Sequence, residues 1–191
     1  MQKIGLLFGS FNPIHHGHLL LATYIKEAAN LDEIWFIVSP QNPFKINAVL
    51  IDEHHRLKMV QLAIEKNEHF KVNDIEFQLD KPSYTYITIQ KLQAQFSNCH
   101  FSLIIGEDNL EQLHKWKEID WIINNVEVLV YNRTTVNNST KISNQQIKQY
   151  TLPLMDISAT EIRQRIKEKK SIQYFVPEAV EQYIKFHNLY L

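Results

Sequence analysis

Three histidines and two glycines fall within ten residues near the amino terminus, in the stretch GSFNPIHHGH from Gly9 to His18. The chain of 191 residues contains only 4 glycines and 9 histidines. Imidazole N–H groups and the free N–H groups at the start of a helix both bind phosphate oxygens. The His-x-Gly-His spacing therefore suits two imidazoles, those of His15 and His18, that point at one anion beside the start of a helix.

The other residues of this stretch have separate expected roles. Gly9 is expected to let the backbone turn sharply beside a ligand, and Gly17 to let the following helix approach a phosphate closely. Pro13 stiffens the loop between them. Because neighbouring side chains in a turn diverge, His16 is expected to point away from the ligand. The remaining histidines are expected to be surface or structural residues: His54, His55, His69, His100, His114 and His187.

Short strands that alternate with amphipathic helices are predicted around this stretch. Apolar runs rich in β-branched residues predict strands buried on both faces at Ile4–Phe8, Ile34–Val38, Phe101–Ile105 and Val126–Tyr131. A shorter strand is predicted within 70–77. Helical spacing predicts buried faces on two helices, one formed by Leu21, Tyr24, Ile25 and Ala28 and the other by Leu57, Val60 and Ile64.

The rest of the chain completes an α/β pattern. Helices are predicted within 86–96, 158–170 and 177–187, and the polar segment 134–149 is predicted to be a solvent loop. The charge runs HHRLK and KEKK are predicted to be solvated helix faces. Alternating strands and helices favour a doubly wound parallel sheet with helices on both faces, followed by a small helical C-terminal part at about 157–191. Ligands of such sheets bind beyond the carboxyl ends of the strands, where the first strand meets Gly9.

Composition and charge narrow the class of protein. Hydrophobic residues make up 45 % of the chain and charged residues 21 %, as in soluble proteins, and the length favours one domain over residues 1–191. A formal net charge of −1 provides no basic field for nucleic acid, so an anion site must be local. No apolar run approaches the roughly twenty residues of a membrane span and no leader cleavage site is present, so a cytoplasmic location is expected. The single cysteine, Cys99, excludes an internal disulfide.

The stretch GSFNPIHHGH resembles the signature of the nucleotidyltransferase superfamily whose motif is (H/T)xGH. Its spelling, with Gly-x-Phe-x-Pro before His-x-Gly-His, is most similar to that of the bacterial nicotinate mononucleotide adenylyltransferases. Further stretches resemble motifs of that family, in the same order along the chain: SPQNPFK, PSYT, LIIGEDNLEQLHKW, ISATEIR and VPEAVEQYIKFHNLY. The chain departs from the family at Ser10, where Gly-Gly-Thr is common, and at Asn12, where Asp is frequent.

This resemblance implies a Rossmann-like fold and an ATP-dependent adenylyl transfer to nicotinate mononucleotide, with Mg²⁺ carried mainly by ATP. The attacking phosphate monoester has a second pKa of about 6, so it is largely a dianion at neutral pH and needs no protein base. The protein then has to hold the reactants in line and stabilise charge on the phosphate oxygens.

The resemblance also implies the site residues, with catalytic roles for His15, His18 and Arg163. The implied ATP-binding positions are Gly9, Ser10, Phe11, His15, Gly17, His18, Gly106, Asp108, Ile157, Ser158, Thr160 and Arg163. The implied positions for the nicotinate nucleotide are Lys45, Ser83, Tyr84, Thr85 and Trp116, and the aromatic face of Trp116 suits a pyridine ring. No set of protein side chains is expected to hold a metal, and Asp108 is the single candidate.

Structural roles stay open for two of these features. Ser158 and Glu161 have the spacing of a capping box, which predicts a helix start whether or not its N–H groups face phosphate. Trp116 has the residue type of a core aromatic as well as that of a stacking platform. The sequence also leaves open whether the chain is a monomer or a homo-oligomer.

Three other functions compete with the leading hypothesis. An adenylyltransferase of this type could act on nicotinamide mononucleotide or on phosphopantetheine, although the phosphopantetheine enzymes usually have Thr where this chain has His15. A nucleotide-binding regulator without turnover is the alternative from a different class. Retention of His15, His18, Asp108 and Arg163 together argues against a regulator.

Overall fold

A six-stranded parallel sheet forms the centre of the molecule, with the strand order β3-β2-β1-β4-β5-β6. The computed structural model describes residues 1–41, 50–132, 146–153 and 156–191, so the predicted site residue Lys45 lies outside the described residues. The strands are β1 at Gln2–Gly9, β2 at Glu33–Val38, β3 at Phe70–Asn73, β4 at Cys99–Gly106, β5 at Glu127–Asn132 and β6 at Ile147–Thr151.

Helices connect the strands and follow the sheet. They are α1 at His16–Ala28, α2 at Glu53–Ile64, α3 at Thr85–Gln95, α4 at Glu107–Glu111, α5 at Ile119–Asn125, α6 at Ala159–Lys167 and α7 at Glu178–Phe186. Short 3₁₀ turns lie at Ile75–Gln78 and Leu113–Lys115. Among the described helices, none combines the length and the apolar character that crossing a membrane requires.

The sheet is buried on both faces, as the continuous apolar strand sequences predict. In β2, Ile34, Phe36 and Val38 belong to a core that includes side chains of α1, α2, α6 and α7. The alternate residues Trp35 and Ile37 belong to a second core on the opposite face, with side chains of α3 and α5. The predicted doubly wound α/β architecture with a helical C-terminal part is confirmed.

The carboxyl ends of the parallel neighbours β1 and β4 lie at the same edge of the sheet. From β1 the chain moves outward through β2 and β3, and it then crosses back to β4 on the other side of β1. The connections that leave β1 and β4 therefore diverge beyond Gly9 and Gly106. Such a divergence in an open parallel sheet leaves a crevice for ligands at the strands' carboxyl ends.

The buried face of α1 differs from the predicted one. Ala22 and Ile25 are its buried residues, whereas Tyr24 is 38 % exposed and Ala28 is exposed. Ala22 is fully buried in the core, whereas Tyr24 lines a cavity at the carboxyl edge of the sheet. The apolar spacing indicated a helix correctly but placed its packed face about one residue away.

The polar segment 134–149 is not a loop throughout, because its last three residues belong to β6. Within the described residues this strand pairs only with β5, and its own residues are exposed or partly buried. An edge strand with little burial needs no apolar run, which explains why its composition resembled that of a loop.

Candidate functional site

Two adjoining cavities open at the carboxyl edge of the sheet, and the wall that they share is formed by Leu7, Phe8, Gly9, Ser10 and Tyr131. The first cavity has a volume of about 690 Å³ and is lined on its polar side by the residues Ser10, His15, His18, Ser158, Thr160 and Arg163. The second cavity has a volume of about 700 Å³ and its wall includes Ser39, Glu76, Ser83, Thr85, Asp108 and Trp116. The structure therefore brings together the distant motifs that the sequence singled out.

The signature loop, residues 9–18, turns at Phe11 rather than at Gly9. Phe11 has a φ of 45°, and none of the glycines in the described residues has a positive φ. A Cβ on Gly9 would lie 2.8 Å from the Phe11 ring, so Gly9 makes room for that ring. The ring is buried against the Phe36 ring, with centroids 5.6 Å apart. It also packs in a T-shaped arrangement with the His18 ring, with centroids 5.2 Å apart. The predicted sharp turn at Gly9 is thus wrong in position, because Phe11 adopts the left-handed conformation instead.

The two motif histidines lie side by side at the start of α1. Their ring centroids are 3.8 Å apart, and the backbone N–H of His15 donates to Nδ1 of His18 at 3.3 Å. With Nδ1 as acceptor, a neutral His18 carries its hydrogen on Nε2, which is then a donor. A Cβ on Gly17 would lie 3.0 Å from Nδ1 of His15, so this glycine makes room for the imidazole.

The middle histidine has a different environment. The backbone N–H of His16 donates to the carbonyl of Phe175 at 2.9 Å, which fastens the start of α1 to the C-terminal part of the chain. His16 lines neither of the two cavities, whereas His15 and His18 line the first. This placement agrees with the expectation that His16 points away from the ligand.

The start of helix α6 forms a further part of the wall of the first cavity. The hydroxyl of its N-cap Ser158 accepts a hydrogen bond from the backbone N–H of Glu161 at 3.1 Å, which confirms the predicted helix start. Arg163 donates from Nη1 to the carbonyl of Asn12 at 2.7 Å and from Nη2 to Oγ1 of Thr160 at 3.1 Å. The guanidinium and the positive end of the helix dipole thus face the same space as the two histidines.

The C-terminal segment holds the same loop from another side, through Tyr190. Its hydroxyl donates to Oδ1 of Asn12 at 3.0 Å, and burial raises the pKa of this phenol well above its usual range. Asn12 therefore meets Arg163 through its carbonyl and Tyr190 through its side chain. The sequence offered no local signal for the Tyr190 contact, because 178 residues separate the two partners.

The second cavity is built from the segment before α3 and from the connection after β4. Ser83 and Tyr84 precede the first residue of α3, Thr85, and Trp116 follows the 3₁₀ turn at Leu113–Lys115. The ammonium of Lys117 lies 4.5 Å from the centre of the Tyr84 ring. Trp116 lines the cavity and also packs against the second core, so both of its proposed roles are compatible with its position.

Gly106 ends β4 and Asp108 lies in α4, and both line the second cavity, not the first. They belong to the predicted ATP-binding positions, and the shared wall at Gly9, Ser10 and Tyr131 places them next to the first cavity. Their part in nucleotide binding stays a prediction. Ile157 lines the first cavity, as expected.

Glu76 is a buried carboxyl group in the second cavity that the sequence analysis missed. It is 2 % exposed, and it accepts hydrogen bonds from Ser83 Oγ at 2.7 Å and from Thr88 Oγ1 at 2.8 Å. Burial raises the pKa of Glu76 above 4.5, and these hydroxyl groups oppose the shift because they stabilise the carboxylate. An acidic residue between the apolar residues Ile75 and Phe77 was the available signal.

The described residues include Asp108, the predicted candidate for a metal ligand, in the wall of the second cavity. They bring together no group of three His, Cys, Asp or Glu side chains able to hold a metal ion. Mg²⁺ commonly binds through phosphate oxygens and waters with one or two carboxylates, so the single carboxylate of Asp108 suits this mode.

Comparison with known proteins agrees with this geometry. The sequence profile of the cytidylyltransferase-like family matches residues 6–165. A Flavobacterium johnsoniae protein named "Probable nicotinate-nucleotide adenylyltransferase" is 46 % identical over 191 residues, covering 99 % of each chain. A Bacillus pumilus protein of the same name is 41 % identical and covers 100 % of this chain and 99 % of its own. The chain belongs to the nicotinate-nucleotide adenylyltransferase family.

Membership in this family makes the chain an ATP-dependent nucleotidyltransferase, an enzyme of the class that the sequence motifs implied. Solved structures show the same fold. Plasmodium falciparum nicotinic acid mononucleotide adenylyltransferase complexed with NaAD superposes with a TM-score of 0.78 at 20 % identity, covering 100 % of this chain and 98 % of that one.

The buried carboxyl group leads to a pH-dependent prediction for Glu76→Gln. In the unfolded chain Glu76 titrates near its ordinary pKa of 4.5, whereas in the folded protein burial raises this pKa. As the pH rises from 4.5 towards the folded-state value, the unfolded chain releases the proton first, so wild-type protein loses stability. The free energy of unfolding of Glu76→Gln minus that of wild type should therefore increase over this window and level off above it.

Urea unfolding at a series of pH values measures this difference. Glu65→Gln, which replaces an exposed glutamate, serves as the control for the loss of one charge. A difference between Glu76→Gln and wild type that stays flat across the window would contradict the prediction.

Proposed function

We propose that this protein transfers AMP from ATP to nicotinate mononucleotide, giving nicotinate adenine dinucleotide (deamido-NAD) and pyrophosphate in NAD synthesis. Residues 1–191 act in this proposal as one nucleotidyltransferase domain in the cytoplasm. The supporting observation is the pair of adjoining cavities at the carboxyl ends of β1 and β4, with similar volumes and a shared wall. Two reactants bound in neighbouring cavities meet where the walls join, at the signature loop.

The first cavity is the proposed site for the ATP phosphates. His15, His18 and Arg163 line it, and the start of α6 adds the hydroxyl groups of Ser158 and Thr160. Imidazole, guanidinium, hydroxyl and helix N–H groups all act as hydrogen-bond donors towards phosphate oxygens. Their number and their convergence on one space support a polyphosphate rather than a single small anion.

The second cavity is the proposed site for the nicotinate nucleotide. Trp116 offers an aromatic face to the pyridine ring, and Ser83, Tyr84 and Thr85 line the same cavity at the start of α3. Backbone N–H groups at that helix start would favour the acid of nicotinate over the amide of nicotinamide. Lys45 belongs to the proposal as a sequence prediction only, since it lies outside the described residues.

The reaction forms a bond between the phosphate oxygen of nicotinate mononucleotide and the α-phosphorus of ATP, and it breaks the bond from that phosphorus to pyrophosphate. The attacking phosphate is already a dianion, so no side chain has to remove a proton. His18 donates from Nε2, and with His15 and Arg163 it stabilises charge on the phosphate oxygens in the transition state. Mg²⁺, when carried in by the triphosphate, would neutralise part of the leaving group's charge, and Asp108 is the candidate protein ligand for it.

Two alternatives within the same chemistry use nicotinamide mononucleotide or phosphopantetheine as the acceptor. A third alternative is a regulator that binds nucleotide without turnover. The joint presence of both histidines and Arg163 around one cavity supports a catalyst over such a regulator. The formal net charge of −1 also supports small anionic substrates held locally, with no nucleic-acid partner.

A panel of acceptors tests the proposed substrate. With ATP and Mg²⁺, purified protein should release pyrophosphate faster with nicotinate mononucleotide than with nicotinamide mononucleotide or phosphopantetheine, because the helix start at Thr85 suits a carboxylate. Initial rates with each acceptor at matched concentrations measure this preference. Comparable rates with all three acceptors, or none with any, would overturn the assignment.

The catalytic role of His18 has a separate test. His18→Ala removes a donor that acts on charge in the transition state, so kcat should fall on the order of 100-fold while the melting temperature changes little. His100→Ala is the matched control, because His100 is exposed on β4 and away from both cavities. Parallel losses of activity and melting temperature in His18→Ala would show instead that this histidine is structural.

A further inference from the structure

A fully buried arginine lies beneath the signature loop, although the sequence predicted it on a solvated helix face. Arg56 is 1 % exposed and shares the buried side of α2 with Met59, Val60 and Ile64. The prediction of a solvated charge run at HHRLK is therefore wrong for this residue. Its spacing of three and four residues from Met59 and Val60 was the signal that placed it on the packed face.

The Arg56 guanidinium is hydrogen-bonded to main-chain carbonyls from three segments. Nη1 donates to the carbonyls of Ser10 and Ser39, each at 2.7 Å, Nη2 donates to that of Pro40 at 2.9 Å, and Nε donates to that of Ile51 at 3.1 Å. The guanidinium thereby joins the signature loop to the residues that follow β2. Among the described residues, no carboxylate forms an ion pair with it.

Glu76 is a second buried charged residue whose hydrogen bonds join separate segments, in this case at the wall of the second cavity. Its carboxyl group joins Ser83, in the cavity wall, to Thr88 in the first turns of α3. Ser39 lies with Glu76 in the wall of the second cavity, and its side chain opposes the rise that burial causes in the pKa of this carboxyl group. Glu76 thus connects the end of β2 with the segment proposed to hold the nicotinate nucleotide.

Ser39 lies between the buried Arg56 and the buried Glu76 in this arrangement. Its carbonyl accepts from Arg56, its side chain neighbours Glu76, and its backbone N–H donates to the carbonyl of Gly9 at 2.9 Å. Gly9 and Ser10 line both cavities, and Ser39 lines the second. A continuous buried network therefore runs from the signature loop to the wall of the second cavity.

Burying these two charged groups costs free energy that apolar side chains of the same size would not require. Burial correspondingly disfavours the charged form of each, and it lowers the pKa of Arg56. Their hydrogen bonds go mainly to groups in or next to the cavity walls. The network's distinctive effect is thus to fix the relative positions of the two walls.

We propose that Arg56, Ser39 and Glu76 are positioning residues that fix the walls of the two substrate cavities relative to each other. They act on the substrates through Ser10 and Ser83. This inference rests on the proposed function, because it assigns ATP to the first cavity and the nicotinate nucleotide to the second. Arg56 touches the shared loop, so its loss affects both substrates. Ser39 and Glu76 support the second cavity, so their loss affects mainly the nicotinate nucleotide.

Dissociation constants for ATP and for nicotinate mononucleotide, titrated separately by calorimetry, test the proposal. Ser39→Ala and Glu76→Gln should each weaken nicotinate mononucleotide binding about fivefold, the effect of one net hydrogen bond, and change ATP binding less than about twofold. Arg56→Lys should weaken both ligands about fivefold or more, because one ammonium cannot reach all four carbonyls. Ser102→Ala, at a buried serine of β4 outside both cavities, is the matched control and should change neither constant.

The double variant Ser39→Ala/Glu76→Gln tests whether these residues act as one network. The fold-loss of affinity for nicotinate mononucleotide in the double variant should equal that of the single variant that binds this ligand less tightly. It should not reach the product of the two single losses, because both substitutions break the same connection. Independent effects that multiply would overturn the network.

The outcomes separate this inference from the proposed function. Unchanged constants in folded Ser39→Ala, with the same change in melting temperature as Ser102→Ala, would overturn the inference while wild-type turnover stands. Wild-type protein that binds both ligands but releases no pyrophosphate would overturn the proposed function alone. If Arg56→Lys does not fold, Ser39→Ala decides the question, because it removes only a hydroxyl group.

Discussion

The pairing of β1 with parallel neighbours on both sides is the constraint on which the rest of the structure depends. Because β2 and β4 flank β1 in the same orientation, the carboxyl ends of all three strands lie at one edge. The chain leaves this edge in opposite directions, and the crevice between the departing connections contains both cavities. The signature loop follows the central strand, and its residues Gly9 and Ser10 lie in the wall that the two cavities share.

This loop is fixed from several sides by distant parts of the chain. Arg163 of α6 and Tyr190 near the C-terminus both bind Asn12, and Arg56 of α2 binds the carbonyl of Ser10 from below. The carbonyl of Phe175 accepts from the start of α1. A loop held in this way is preorganised, which limits the ordering that ligand binding has to supply.

Local patterns allowed much of the fold and of the first cavity to be predicted. The strands were visible as apolar runs, and the start of α6 was visible from the spacing of Ser158 and Glu161, because a cap involves only neighbouring residues. Arg56, Glu76 and Tyr190 were missed, since each is defined by partners that lie far along the chain or on other elements. The role of Gly9 was also misplaced, because the ring that needs its space belongs to Phe11 and depends on how the loop packs against β2.

The central claim is that the two cavities form one continuous site in which the reactants meet at the signature loop. A calorimetric titration with the dinucleotide product, nicotinate adenine dinucleotide, tests it most directly. One product molecule should bind per chain and span both cavities, so that neither ATP nor nicotinate mononucleotide gives a binding heat once the product is saturating. Undiminished ATP binding to the product-saturated protein would contradict the claim, because it would show that the two cavities bind their ligands independently.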